Sequence, residues 1–110
     1  INYKMNLEIS VTQAHELREK NPTLLFLDVR EVEEVNFCKI PNSLHIPLRE
    51  IPHRLDSLPK DTSIIIYCHH GMRSMSVVNF LRAKGYGKAA NLSGGIDAWS
   101  TKIDPGIPTY

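Results

Sequence analysis

At 110 residues, with 42% apolar and 23% charged side chains, the chain has the proportions of one ordinary globular domain. Thirteen Lys and Arg against twelve Asp and Glu leave a net charge of +1, which excludes the basic excess of a nucleic-acid footprint. The longest apolar run, Ile64-Ile65-Ile66-Tyr67-Cys68, is strand-sized and far short of the about 18 residues of a membrane span, so neither nucleic acid nor a membrane is expected as partner. No apolar stretch follows the charge in Ile1-Asn2-Tyr3-Lys4-Met5, so no secretory leader is expected. The opening at Ile1 fits a trimmed chain or an excised domain of a longer one. Two cysteines thirty positions apart make neither a disulfide scaffold nor a four-ligand zinc site. That usage fits a reducing compartment, and a cytoplasmic location is expected.

In chain order, Ser10-Val11-Thr12-Gln13 has the form of a capping box, and a helix is predicted over about Val11 to Lys20, stopping before Pro22. Leu24 to Val29 is a near-continuous apolar run, as in a strand buried on both faces of a parallel sheet. Glu31 to Phe37 is acidic at its start and reads as a short helix. Leu44-His45-Ile46 is a brief strand stopped by Pro47, and Arg49 to Leu55 reads as helical with Pro52 in its first turn. Ser63 to Tyr67 is the second strong strand. Arg73 to Lys84 follows as a helix carrying Val77, Phe80 and Leu81 on one face, closed by Gly85. A last strand is predicted at Ala89 to Leu92 and a last helix at Gly94 to Thr101, with Trp99 on its buried side, before an extended tail. Strands alternating with helices predict a small three-layer α/β domain with a mostly parallel sheet covered on both faces. One domain is expected over residues 1–110, with its core at about 9–99 and a tail at 102–110.

Sites in open α/β sheets lie beyond the carboxyl ends of the strands. Asp28-Val29-Arg30 and Cys68 to Ser74 arrive there with reactive residue types. Cys68 falls on a strand-to-helix loop, where backbone N–H groups, the positive helix end, Arg73 and any charge on His69 or His70 all favour a thiolate. A free thiol, with a pKa of about 8.5, is mostly un-ionised at neutral pH, so this placement matters. Gly71 lets the backbone turn with no Cβ inside the cradle. A cysteine closing a core strand can equally be an inert buried thiol, and spacing alone leaves both readings open.

Cys68-His69-His70-Gly71-Met72-Arg73-Ser74 resembles the active-site loop of rhodanese-type sulfurtransferases. Asp28-Val29-Arg30 with Glu34, and Gly94-Gly95-Ile96-Asp97-Ala98-Trp99, resemble two further elements of that family in the same order. One departure stands out: Cys38-Lys39-Ile40 replaces the family's usual Gly-His-Ile, and a slightly altered surface turn is expected there. The resemblance implies a persulfide relay. Cys68 is implied as the nucleophile that takes the outer sulfur of a donor such as thiosulfate and passes it to a thiol, cyanide or a sulfur-carrier protein, with no cofactor. The backbone of His69, His70, Gly71, Met72 and Arg73 is implied as most of the ring of donors around the outer sulfur, and Arg73 as the fork that steadies an anionic donor. The tail from Ile103 to Tyr110 also resembles tails of rhodanese domains fused to adenylyltransferases, which again implies a carrier-protein acceptor.

Other residues weigh towards structure. Adjacent His69 and His70 point in different directions with no further ligands nearby in sequence, so no metal is expected. Arg30 has Glu34 at i,i+4 and Asp28 can cap the following turn. His45 reads as a satisfied histidine, Trp99 as core, and Cys38 as silent. Two other function classes compete: a Cys-loop phosphatase or arsenate reductase, and a non-catalytic interaction module. Loop size separates the first from a sulfurtransferase. Four residues, His69 to Met72, part Cys68 from Arg73, where the resembling phosphatases have five and so a wider ring. The retained Cys68 weighs against the second.

Overall fold

In the computed structural model, which describes residues 6–110, five strands form one all-parallel sheet. The leader reading on Ile1 to Met5 lies outside the described residues. The elements are β1 (Glu8–Ile9), α1 (Val11–Lys20), β2 (Leu25–Asp28), α2 (Val32–Phe37), β3 (Leu44–His45), two 3-10 turns (Leu48–His53 and Leu55–Ser57), β4 (Ile64–Tyr67), α3 (Met72–Ala83), β5 (Ala89–Leu92) and α4 (Gly95–Lys102). Across the sheet the order is β1-β5-β4-β2-β3. The α/β class and the parallel sheet are those the alternation of elements implied.

An apolar run with no polar position must be buried on both sides, and β4 is. Ile65 and Tyr67 pack with Val11 and Ala14 of α1 and with Ile96 and Trp99 of α4. Ile64, Ile66 and Cys68 face the other way, onto Val77, Val78 and Leu81 of α3. Full burial of each such side chain is worth about 1.5–3 kcal/mol, which makes β4 a rigid base for the loop that leaves it. The first helix starts as the capping box requires: the Gln13 N–H donates to Ser10 Oγ at 3.1 Å, and the Ser10 N–H to Gln13 Oε1 at 3.0 Å.

Three local features differ from the sequence reading. The two-residue β1, paired parallel to β5, was not anticipated, because two residues carry no readable period. The stretch after Pro47 is 3-10, not α, and Pro52 falls near the end of the first 3-10 turn. Proline has no N–H and collides with the carbonyl four residues back, so i→i+3 bonds close the turn instead, as from the Arg54 N–H to the Ile51 carbonyl at 3.1 Å. Helix α3 begins at Met72, one residue earlier than expected, with Gly71 as its N-cap.

The topology locates the site. From β2 the chain moves outward to β3, and from β4 it moves to β5 on the opposite side. The carboxyl ends of β2 and β4 therefore flank the crevice where the direction of winding reverses. Among the described residues no helix is long and apolar enough to cross a membrane.

Candidate active site

Cys68 is the first residue beyond β4, and its side chain is buried at the N-terminal end of α3. Its sulfur accepts three hydrogen bonds: from the Gly71 N–H at 3.1 Å, the Ser74 N–H at 3.4 Å and Ser74 Oγ at 3.3 Å. Burial alone pushes the thiol up. The Ser74 hydroxyl and amide, the Gly71 amide and the nearby Arg73 charge outweigh it, and the net effect lowers the pKa of Cys68 below that of a free cysteine. Only glycine enters this turn without strain: Gly71 has φ 111°, and a Cβ there would stand 3.4 Å from Asn91 Nδ2.

Ser74 has one hydroxyl proton and two acceptors, Cys68 Sγ and Asn91 Oδ1. With the thiol protonated, the hydroxyl can point at Asn91 and accept from the S–H. With the thiolate formed, it can turn to the sulfur. Asn91 is fixed for this by donating Nδ2 to the Gly71 carbonyl at 3.0 Å and to Glu8 Oε2 at 2.9 Å. The loop is also held from below. The amides of Ile96 and Asp97, in the first turn of α4, donate to the carbonyls of Cys68 and His69 at 3.0 and 3.2 Å. Gly95 is needed for that approach, since a Cβ on it would stand 2.6 Å from the Cys68 carbonyl oxygen.

Arg73 lies at the mouth, half-exposed, in a two-pronged pair with Glu34: Nη1 to Oε2 at 2.8 Å and Nη2 to Oε1 at 2.9 Å. The Arg73 bonds lead in holding the Glu34 carboxyl down to about 2; burial opposes them, and the Glu31 amide and the Tyr110 hydroxyl assist. Arg30 does not pair with that carboxylate, contrary to the i,i+4 expectation. It is wholly buried and takes Asp28 instead, Nε to Oδ1 at 2.9 Å and Nη2 to Oδ2 at 2.7 Å, touching Glu34 only at its backbone carbonyl. The i,i+4 rule needs both residues in one helix, and Arg30 precedes the N-cap Glu31. Asp28 also accepts the Arg30 N–H at 3.0 Å, which is the turn cap expected of it.

The sequence model of the Rhodanese-like domain matches residues 10–102. The chain belongs to that family. The protein YtwF of Bacillus subtilis is 39% identical over 89% of this chain and 94% of its own length. A sulfurtransferase of Allochromatium vinosum is 40% identical over 70% of this chain and 72% of its own. The crystal structure of a rhodanese-like domain protein from Staphylococcus aureus covers 94% of this chain and 97% of that one, at 33% identity and a TM-score of 0.80. The chain is of the rhodanese type, and its relatives include sulfurtransferases.

Within this rhodanese-like domain the expected loop residues take different places. The two amides on the sulfur are those of Gly71 and Ser74, so the ring reaches one residue beyond the His69-to-Arg73 stretch. Met72 is 85% exposed. The rings of His69 and His70 do not point apart as expected but lie together, centroids 3.8 Å apart and planes tilted by 35°, and Asp97 brings a third ligand within 4.8 Å of their nitrogens. Nearness in space thus supplies a third group that sequence distance hid. His45 is satisfied by the Arg30 carbonyl at 2.7 Å, and Trp99 is core. Cys38 corrects the surface-turn expectation: it is buried, with extended backbone (φ −161°) that any residue adopts. Its sulfur lies 4.0 Å from Arg30 Nη1. The residues that the sequence reading did not assign a role are Ser74, which contacts Cys68 within the loop, and Asn91 and Tyr110, which are joined to the site by long-range contacts.

Proposed function

We propose that the protein is a sulfurtransferase that carries sulfane sulfur on Cys68. The thiolate attacks the outer sulfur of thiosulfate, an S–S bond forms to Cys68, and sulfite leaves with the electron pair of the broken S–S bond. An acceptor thiolate or cyanide then takes the outer sulfur and returns Cys68 as thiolate. The observation that carries this reading is the Cys68 sulfur, set at the start of α3 and accepting three hydrogen bonds. Donors aimed at that point hold negative charge without reorganising as it moves from sulfur to sulfur. Arg73 would hold the sulfonate end of the donor with the N–H groups that Glu34 does not use.

Two relatives bear on donor and acceptor. One, from Tolumonas auensis, is the thiosulfate sulfurtransferase GlpE, 29% identical over 83% of this chain. Another, YrkF of Bacillus subtilis, described as a sulfur carrier protein, is 34% identical over 88% of this chain, which spans 52% of its length. They support thiosulfate as a donor and a sulfur-carrier protein as an acceptor.

A ring with four residues between Cys68 and Arg73 suits one added sulfur atom and crowds a phosphoryl group. Turnover of thiosulfate with cyanide, beside hydrolysis of an aryl phosphate, tests the reading. Sulfur transfer without phosphatase activity is expected. Phosphate hydrolysis through Cys68 without sulfur transfer would overturn it.

A further inference from the structure

The C-terminal tail ends on the site. Beyond α4 it turns, with the Ile107 N–H on the Asp104 carbonyl at 3.1 Å, and Ile107 enters the core under α4, where Ser100 Oγ donates to its carbonyl. Tyr110 then lies flat on His69, ring centroids 3.8 Å apart and planes within 5°, with its ring meeting Phe37 at 5.7 Å. Its hydroxyl accepts from Arg30 Nη1 at 3.0 Å and donates to Glu34 Oε1 at 2.8 Å. Burial leads in pushing the Tyr110 phenol up to about 12, so it stays a donor at neutral pH.

These contacts complete the shell of Glu34. Its Oε2 accepts the Glu31 N–H at 2.9 Å and Arg73 Nη1, and its Oε1 accepts Arg73 Nη2 and Tyr110. The Glu31 amide fixes one oxygen from the N-cap of α2, and Tyr110 fixes the other from the tail. A carboxylate held at both oxygens sets the plane of the guanidinium that pairs with it. That guanidinium stands at the mouth of the Cys68 loop.

We propose that Tyr110 is a positioning residue for anion binding: through Glu34 it holds the plane of Arg73, and so favours anionic sulfur donors at Cys68. The proposal rests on the sulfur-transfer reading only for the identity of the donor. Its predicted effect is a preference between charged and neutral reagents, not a change in thiolate fraction.

The test uses the full chain carrying Cys38→Ser, so that Cys68 is the thiol titrated, and compares alkylation by anionic iodoacetate with that by neutral iodoacetamide. The ratio of the two rates cancels the thiolate fraction. Tyr110→Phe keeps the ring and removes the hydroxyl. The ratio is expected to fall about fivefold, the scale of one lost hydrogen bond, with the iodoacetamide rate little changed and KM for thiosulfate raised more than kcat is lowered. Arg73→Ala alone should lower the ratio, and adding Tyr110→Phe to it should change nothing further. An unchanged ratio in Tyr110→Phe, even with a lowered melting temperature, overturns the proposal. So does an equal rise in both rates, which would make the tail merely a cover over Cys68. A fall in Tyr110→Leu but not in Tyr110→Phe would assign the effect to the ring on His69 and overturn the route through Glu34. Failure of the parent protein to take up sulfur would overturn the sulfur-transfer reading, while the ratio would still decide the role of Tyr110.

Discussion

Strands β2 and β4 lie side by side, and the exit of each carries a reactive side chain and then an arginine, yet the two exits are put to opposite uses. At the β2 exit Asp28 and Arg30 close on each other, both wholly buried, and the pair is filled out by the Cys38 carbonyl at 2.7 Å from Arg30 Nη2. At the β4 exit the reactive atom is surrounded by donors and its arginine stands at the surface, paired to Glu34 with 40% of its side chain exposed. Depth decides the difference. An arginine drawn into the core must have its charge matched in place, whereas one at the mouth keeps N–H groups for a ligand. Asp28–Arg30 is built as scaffold and Cys68–Arg73 as the proposed site, and Glu34 with Tyr110 joins the two.

If that division is right, substitutions at the two arginines should separate stability from donor use. Arg30→Ala leaves a buried carboxylate unpaired and should cost about 3–5 kcal/mol, read as a large drop in melting temperature with activity lost only as the fold is lost. Arg73→Ala should do the reverse, raising KM for thiosulfate about tenfold, a loss of about 1.4 kcal/mol of anion binding, with a melting temperature close to that of the parent. A swap of these outcomes would break the comparison.

The pH dependence sharpens it. The folded pKa of Cys68 is lowered, so the thiolate is present below the range of a free cysteine and is lost as pH falls through the lowered value. Alkylation rate against pH should show a midpoint below about 8.5. Glu34, held at about 2, keeps its charge through that range, and the stability it contributes is present above the ordinary glutamate pKa and lost only as pH falls towards 2. The falling limb expected below about 8.5 is therefore assigned to Cys68. The smallest effect is expected for Cys38→Ser. Cys38 packs against the scaffold arginine, not the loop, so sulfur transfer should stay within about twofold of the parent. A large loss in a well-folded variant would move Cys38 into the site.

Much of this plan is legible in the sequence. The unbroken apolar run at Ile64 to Tyr67 demanded burial on two faces, and Cys68 after it had to emerge at a helix start. Ser10 and Gln13 announced α1. What could not be read was the choice of partner among groups equally near in sequence. Arg30 had a carboxylate two residues before it and another four after it, and only the extended backbone ahead of α2 decided for Asp28. Asn91 and Tyr110 reach the site from 17 residues beyond Ser74 and 76 beyond Glu34, distances over which periodicity carries no information. The place of Pro52 is not legible because a helical pattern does not reveal whether its turns close at i+3 or i+4.

The central claim is that Cys68 carries the sulfur. Intact mass of the Cys38→Ser protein after treatment with thiosulfate, then after addition of cyanide, tests it most directly. The account predicts a gain of one sulfur atom that cyanide removes and that Cys68→Ser, made in the same background, never shows. No mass gain in the folded Cys38→Ser protein, or a gain that persists in the Cys68→Ser variant, would contradict it.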